Sequence, residues 1–390
     1  MTSPSYRSRL LAINFGGIGD EILFLPALES IRAAHPEWHI TLLLEPRSQS
    51  VAQVTDLIDS TISFDIKKQP LFLADLLDLL GLLRDGAYDF VLSSGSSPLV
   101  SMLLFLSGIP VRVGYHASFL SGHLLTAAVP LNKNQYAAAM YHDLVSGLGV
   151  TMRPGRPTCS LKAESVAQMQ KLLQSAGAGT TDGANSGRAA KAGIGTTTRS
   201  VLIHPGTSRL ALEKGIIKTW PVGHWVWLVE QLTALDQVRV ILAGGPDDRE
   251  IVKEIEAAAG PALISAGAWT RNLSDLAALI HLADLIVCVD SAPMHLAVGL
   301  GKHLVALFGP TDAAKLLPED ERFLALRGGG AQDPKLPSVA DSPPSAASPR
   351  QPAGAPTRPG VEIPPDIVFQ AVMDQLSRAS GQGSSPESRR

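Results

Sequence analysis

Cysteine is scarce. The 390-residue chain holds two, Cys159 and Cys288, far apart and with no CxxC pair. That argues against a disulfide framework and against a structural zinc site. Both suit a reducing compartment, and Cys288, inside the run LIVCVD, reads as a small buried hydrophobe. Excess charge is missing too: the formal net charge is −3, which gives no electrostatic case for nucleic acid or an anionic membrane as partner. Long apolar runs are absent. The two most apolar segments, PLFLADLLDLLGLL (70–83) and SPLVSMLLFLSGIP (97–110), fall short of the ~20 residues a spanning helix needs. The first also carries Asp75 and Asp78, and both read as buried helices. At the start, MTSPSYRSRLLAINF has too short an apolar run before its glycines for a signal peptide, so it reads as a first strand. With 45% hydrophobic and 18% charged residues, the chain is globular and long enough for two domains, each with its own core.

Two stretches lack large apolar side chains: residues 177–199, with Ile194 the exception, and the Pro-, Ser- and Ala-rich residues 328–360. Neither buries enough apolar surface to offset the entropy of ordering, so both are expected to be flexible. The expected organisation is a first domain at 1–176, a linker at 177–199, a second domain at 200–327, a disordered segment at 328–360, a C-terminal helix at 361–380 and a disordered tail at 381–390. Within each domain, strands alternate with helical patterns. LLAINF, HITLLLE, TISFDI and DFVLSSG read as strands in the first; VLIH, VRVILAG, LIVCVD and HLVALFG in the second, with a weaker one near ALISA. Strands without polar alternation, separated by helix-length segments, predict parallel sheets covered on both faces. The fold class is therefore α/β, with two Rossmann-like doubly wound sheets. Ligands bind at the carboxyl ends of such strands, and two domains facing each other would form a central cleft.

Four stretches carry chemistry. HPGTS (204–208) follows a strand, and Lys214, Lys218 and Trp220 follow it. Backbone N–H groups, the Thr207 and Ser208 hydroxyls and the Lys218 ammonium suit a phosphate, although lysines after loops are common. In LIVCVDSAPMHLAVGLG (285–301) a buried strand ends at Asp290, and Ser291, Ala292 and Pro293 open a short helix. The free N–H groups of its first turn attract an anion, and His295 sits one turn in. Alone, Asp290 would be a cap and His295 a packed core histidine; arrayed around one helix mouth they point to anion binding. In VRVILAGGPDDREI, Asp247 or Asp248 stands where an acid grips ribose hydroxyls in nucleotide-binding sheets, and helix capping fits them equally well. In NFGGIGDEILFLPAL (14–28), the pattern GxGxxG fails because Ile22 stands where its last glycine belongs, and the Walker lysine is absent. The glycines suit close backbone approach. Asp20 then serves as a general base facing the cleft, or as the N-cap of a helix over 21–34 that Pro26 kinks or restarts.

These motifs together (GDEILFLPAL, HPG with KTWP, GGPDDRE, DSAPMHLA and FGPTD at 308–312) make the chain similar to the heptosyltransferase-like glycosyltransferases of family nine. The resemblance covers both domains and the tail helix, IPPDIVFQAVMDQL. It implies the GT-B architecture and inverting transfer of heptose or a related sugar, from an ADP-linked or similar nucleoside-diphosphate donor. The acceptor it implies is a hydroxyl of a lipopolysaccharide core or other envelope glycan. Asp20 becomes the catalytic base. Lys218 contacts the donor phosphates, Thr207 and Ser208 line that pocket, and Ser291, Ala292, Pro293 and His295 hold the diphosphate. Asp290 contacts the donor sugar and Asp247 matches the ribose acid, while the tail helix packs back across the domains. No DxD triplet occurs, in keeping with a transferase that uses no metal and no other cofactor. Departures are Asn14 where the family often has lysine, and Ala292 in place of a common glycine. A cytoplasmic enzyme is implied, visiting the inner face of the membrane if its acceptor is lipid-linked. The alternatives are a sugar-nucleotide epimerase of the same architecture and a non-catalytic sugar-nucleotide-binding protein.

Overall fold

A computed structural model of the chain describes residues 8–68, 72–179, 198–208, 216, 218–328 and 361–381. The expected flexible segments and tail, and Lys214, lie largely or wholly outside these residues. The chain divides into two compact units: one runs to Ser160 and takes in Ala314–Leu316, and the other holds the rest.

The first unit contains strands β1 (Arg9–Ile13), β2 (His39–Leu44), β3 (Ser60–Ser63), β4 (Phe90–Ser93), β5 (Val111–His116) and β6 (Ala127–Pro130). Its helices are α1 (Ile18–Ala34), α2 (Leu73–Asp85), α3 (Pro98–Ser107), α4 (Phe119–Leu124) and α5 (Ala137–His142). In chain order there follow α6 (Ala163–Gly179), β7 (Arg199–His204), α7 (Val222–Thr233), β8 (Val238–Leu242), α8 (Arg249–Ala259), β9 (Ile264–Ser265) and α9 (Leu273–Leu282). The last elements are β10 (Leu285–Val289), α10 (Ala292–Gly299), β11 (His303–Phe308), α11 (Ala313–Leu316), β12 (Phe323–Arg327) and α12 (Pro365–Gly381).

Each unit has one six-stranded sheet, in the orders β3-β2-β1-β4-β5-β6 and β9-β8-β7-β10-β11-β12. All the pairings are parallel. The cause is visible in the strands: every residue of β10 and of β11 is buried, as a sheet covered on both faces requires. The two orders are the same winding used twice. Each reverses between its first and fourth strand, β1/β4 and β7/β10. At such a switch point the loops leaving the two strands diverge and open a crevice.

Helix α1 differs from expectation. It starts at Ile18, with Gly17 as N-cap and Asp20 at its third position, and it runs unbroken through Pro26. Proline removes one helical hydrogen bond, but Ile22 to Leu28 are all buried. Packing on every side of this turn outweighs the missing bond. Asp20 still serves the helix end, because its Oδ2 accepts the Gly17 N–H at 2.8 Å.

Three other expectations are revised. Strands β5, β6 and β12 join those read from the sequence. Helix α6 packs on α9, with Ser165 Oγ 3.0 Å from Ser274 Oγ; it therefore belongs to the second unit, whose boundary falls after Ser160 rather than at 176. Helices α2 and α3, expected to be buried, each expose an apolar face: Phe72, Leu73 and Leu77 by α2, and Met102, Phe105 and Leu106 on α3. The tail helix α12 is tied into the second unit. Val361, Ile363, Val368 and Val372 join that core, the buried Trp220 donates its indole N–H to Ile363 O at 2.9 Å, and His303 Nδ1 lies 3.0 Å from Gln375 Oε1.

Candidate functional site

In the first unit, the loop after β1 is built around close contact. A Cβ on Gly16 would lie 2.2 Å from that of Asp20, so only glycine lets the loop fold over the start of α1. Asn14 is buried and spans the switch point: its Oδ1 accepts the Ser94 hydroxyl at 2.5 Å, and its Nδ2 donates to Asp20 O at 3.4 Å. Asp20 is partly exposed. Its Oδ1 accepts the Tyr141 hydroxyl at 3.4 Å, and the carboxylate lines a cavity of about 560 Å³. Burial, with the Asp20 charge adding to it, pushes the Tyr141 phenol far up, so it stays a donor. The adjacent Glu21 turns inward. Its Oε1 accepts the Gly16 N–H at 3.3 Å, and its buried Oε2 has no hydrogen-bond partner among the described residues. Burial holds its carboxyl well above its ordinary value, against hydrogen bonds from Asn14 and Gly16.

In the second unit, the loop after β7 repeats the device. A Cβ on Gly206 would meet Asp248 Oδ1 at 1.7 Å. Asp248 is buried, its Oδ2 accepts the Gly245 N–H at 2.8 Å, and His204 Nε2 lies 3.8 Å away. Burial pushes Asp248 up and His204 down. Of the two acids in the GGPDD loop, Asp248 thus holds the loops together, while Asp247 is exposed to solvent. A second cavity, about 550 Å³, lies at the ends of β8 and β9, lined by Gly244, Gly245, Arg249, Lys253, Thr270 and Arg271.

At the carboxyl end of β10, Asp290 is 2% exposed, and its Oδ2 accepts from Lys218 Nζ at 2.7 Å and from Thr311 Oγ1 at 2.7 Å. Ser291 is the N-cap of α10, yet its hydroxyl donates back to Val289 O at 3.2 Å and caps no helical N–H. The start of α10, with Ala292 half-buried and Pro293 in its first turn, is thus left without a side-chain cap, the state in which a helix end attracts an anion. His295 is buried one turn in. Thr207, buried, and Ser208, exposed, follow β7, which pairs with β10, so they belong to the same switch point.

A sequence model of glycosyltransferase family 9 (heptosyltransferase) matches residues 77–337. The chain belongs to this family. Lipopolysaccharide heptosyltransferase 3 of Escherichia coli is 26% identical over 302 residues, covering 75% of this chain and 81% of the relative. Lipopolysaccharide heptosyltransferase 2 of E. coli K12 is 24% identical over 334 residues, covering 82% and 88%. The family 9 glycosyltransferase of Veillonella parvula superposes with a TM-score of 0.69 at 22% identity, covering 95% of this chain and 97% of that one. An E. coli heptosyltransferase with ADP-2-deoxy-2-fluoro heptose gives 0.59 at 20% identity, covering 83% and 94%. The fold is accordingly GT-B, with two doubly wound sheets, and the chain is a glycosyltransferase.

For this family 9 member the structure joins Lys218 to Asp290 directly, a contact the sequence reading did not contain. The resemblance implies separate roles, with Lys218 on the phosphates and Asp290 on the sugar. Two partners went unread. Thr311 follows a buried strand in FGPTD, a signal that puts it at a carboxyl edge, but its meeting with Asp290 depends on β11 lying beside β10. Tyr141 lies 121 residues from Asp20 and carries no local signal.

Proposed function

We propose that the chain moves heptose or a related sugar, with inversion, from an ADP-linked or similar nucleoside diphosphate to a hydroxyl of a lipopolysaccharide-core or other envelope acceptor. The second unit holds the donor and the first holds the acceptor. The names of the curated relatives, and the ADP-sugar held by one structural relative, support the donor class. Asp20 takes the acceptor proton as the acceptor oxygen forms its bond to the anomeric carbon. The bond from that carbon to the pyrophosphate oxygen breaks, and the nucleoside diphosphate leaves with the electron pair. A positioned base contributes typically ~10²–10⁴-fold.

The observation that carries this reading is Lys218, held on buried Asp290 beside the uncapped start of α10. A cation and a helix N-terminus together meet the charge that develops on the departing phosphate, so the scheme needs no metal and no other cofactor. Thr207, Ser208, Ser291 and His295 add donors. Asp290 positions Lys218 besides any contact with the sugar, and exposed Asp247 is the ribose acid. Among the described residues no helix is long and apolar enough to cross a membrane. A lipid-linked acceptor brings this enzyme to the inner membrane face from the cytoplasmic side.

The test is transfer from ADP-heptose with and without a truncated core acceptor, reading the anomeric configuration of the product by NMR. Inverted product only when acceptor is present supports the proposal. Isomerised sugar from donor alone marks an epimerase, and ADP binding with neither product marks a non-catalytic binder.

A further inference from the structure

The cavity beside Asp20 has two kinds of wall. One is polar: Asn14, Asp20 and the serine-rich loop after β4. The other is hydrocarbon, from Ile66 and from Leu79, Leu83, Leu99, Val100 and Leu103 of α2 and α3. Leu79, Leu83 and Leu103 are buried, so they form a floor continuous with the core. Leu99, also in the wall, is 37% exposed, so the wall reaches the surface there. From there the apolar surface continues outward along α3 through Met102, Phe105 and Leu106, and on neighbouring α2 through Leu73, 72% exposed, and Leu77.

Cations are few. Among the described residues that line the cavity they are Lys67, held on Glu45 Oε1 at 2.5 Å and on Phe15 O at 3.3 Å, and the exposed Lys133. A cavity that recognised a polyanionic oligosaccharide would present several charged donors to it. A volume of about 560 Å³ suits one sugar-sized head with the start of a chain.

We infer that the acceptor is a short-headed amphiphile: its reactive hydroxyl lies at Asp20, and its hydrocarbon begins within the same cavity, against α2 and α3, and leaves past Leu99. This rests on the reading above that the first unit holds the acceptor. It narrows that reading to glycosyl lipids whose apolar part directly adjoins the accepting sugar, and it gives the exposed apolar face of α3 a purpose as the exit for the chain.

The test is calorimetric titration of the full chain with methyl, hexyl and octyl β-D-glucoside, each below its micelle-forming concentration, alongside ADP. Burial of chain predicts affinity rising by up to about fourfold per methylene. Leu99→Asp, or Leu99→Gln if the first variant does not fold, removes that gain. Phe119→Asp, at a 79% exposed apolar residue of α4 outside the cavity, keeps it. Equal affinity for the three glucosides, or a gain that Phe119→Asp abolishes and Leu99→Asp spares, overturns the inference. ADP affinity is read in the same samples. If ADP fails to bind, the donor assignment falls, while a chain-length gain lost in Leu99→Asp still supports the amphiphile.

Discussion

Lys218 Nζ lies 2.7 Å from Asp290 Oδ2, joining a loop before α7 to the end of β10 across 72 residues of sequence. The carboxylate is almost wholly buried, and it also accepts a hydrogen bond from the Thr311 hydroxyl. The pair keeps a buried carboxylate matched by an ammonium, and it holds that ammonium at the switch point, where we propose the donor phosphates bind.

Removing the lysine should show both. Lys218→Ala leaves Asp290 buried with a hydroxyl alone, and breaking a buried pair from one side costs about 3–5 kcal/mol. Denaturant unfolding should report that loss, and calorimetry should show weaker ADP binding. In Asp290→Asn the buried charge is gone, so the stability loss should be smaller. Unchanged ADP affinity in Lys218→Ala would remove that residue from the phosphate site.

Glu21 predicts a pH effect of definite sign. Burial raises its carboxyl well above the ordinary carboxylate value. The folded chain thus holds this proton more tightly than the unfolded one. The stability it contributes is complete below about pH 4.5 and is lost as pH rises through the folded value. Glu21→Gln has no such titration. Melting temperatures of the two proteins should diverge in favour of the glutamine variant as pH rises through the folded value. Parallel curves would mean that the carboxyl is not held protonated.

Gly206→Ala should disturb the loop after β7, because its Cβ would meet Asp248 Oδ1 at 1.7 Å. Backbone and a buried carboxylate must shift apart. The variant should lose thermal stability and ADP affinity together. Asp248→Ala in the same chain should recover part of the loss, a coupling that a double-mutant cycle measures. Additive losses would show that the two residues do not press on one another.

Much of this was legible in the sequence, for a physical reason. Runs such as LIVCV and HLVALF are buried on both faces, so they announce strands without alternation, and the polar residues that follow them must lie at the carboxyl edge where ligands bind. That is how Asp290, Ser291 and His295 could be found together. Strand β6 is four residues ending in Pro130, and β5 is only half buried over its first two residues and carries Arg112; neither stands out from loop. The position of Asp20 at the third rather than the capping position of α1 depends on how tightly Gly16 packs, which spacing does not reveal. The partnerships of Asp290 with Thr311 and of Asp20 with Tyr141 exist only once the strands are ordered in space.

Asp20 as the base is the claim on which the mechanism turns. The direct measurement is single-turnover transfer from ADP-heptose by Asp20→Asn, with ADP affinity determined on the same preparation. The account predicts a rate lower by ~10²–10⁴-fold with ADP affinity unchanged. A variant that keeps most of its rate would contradict it.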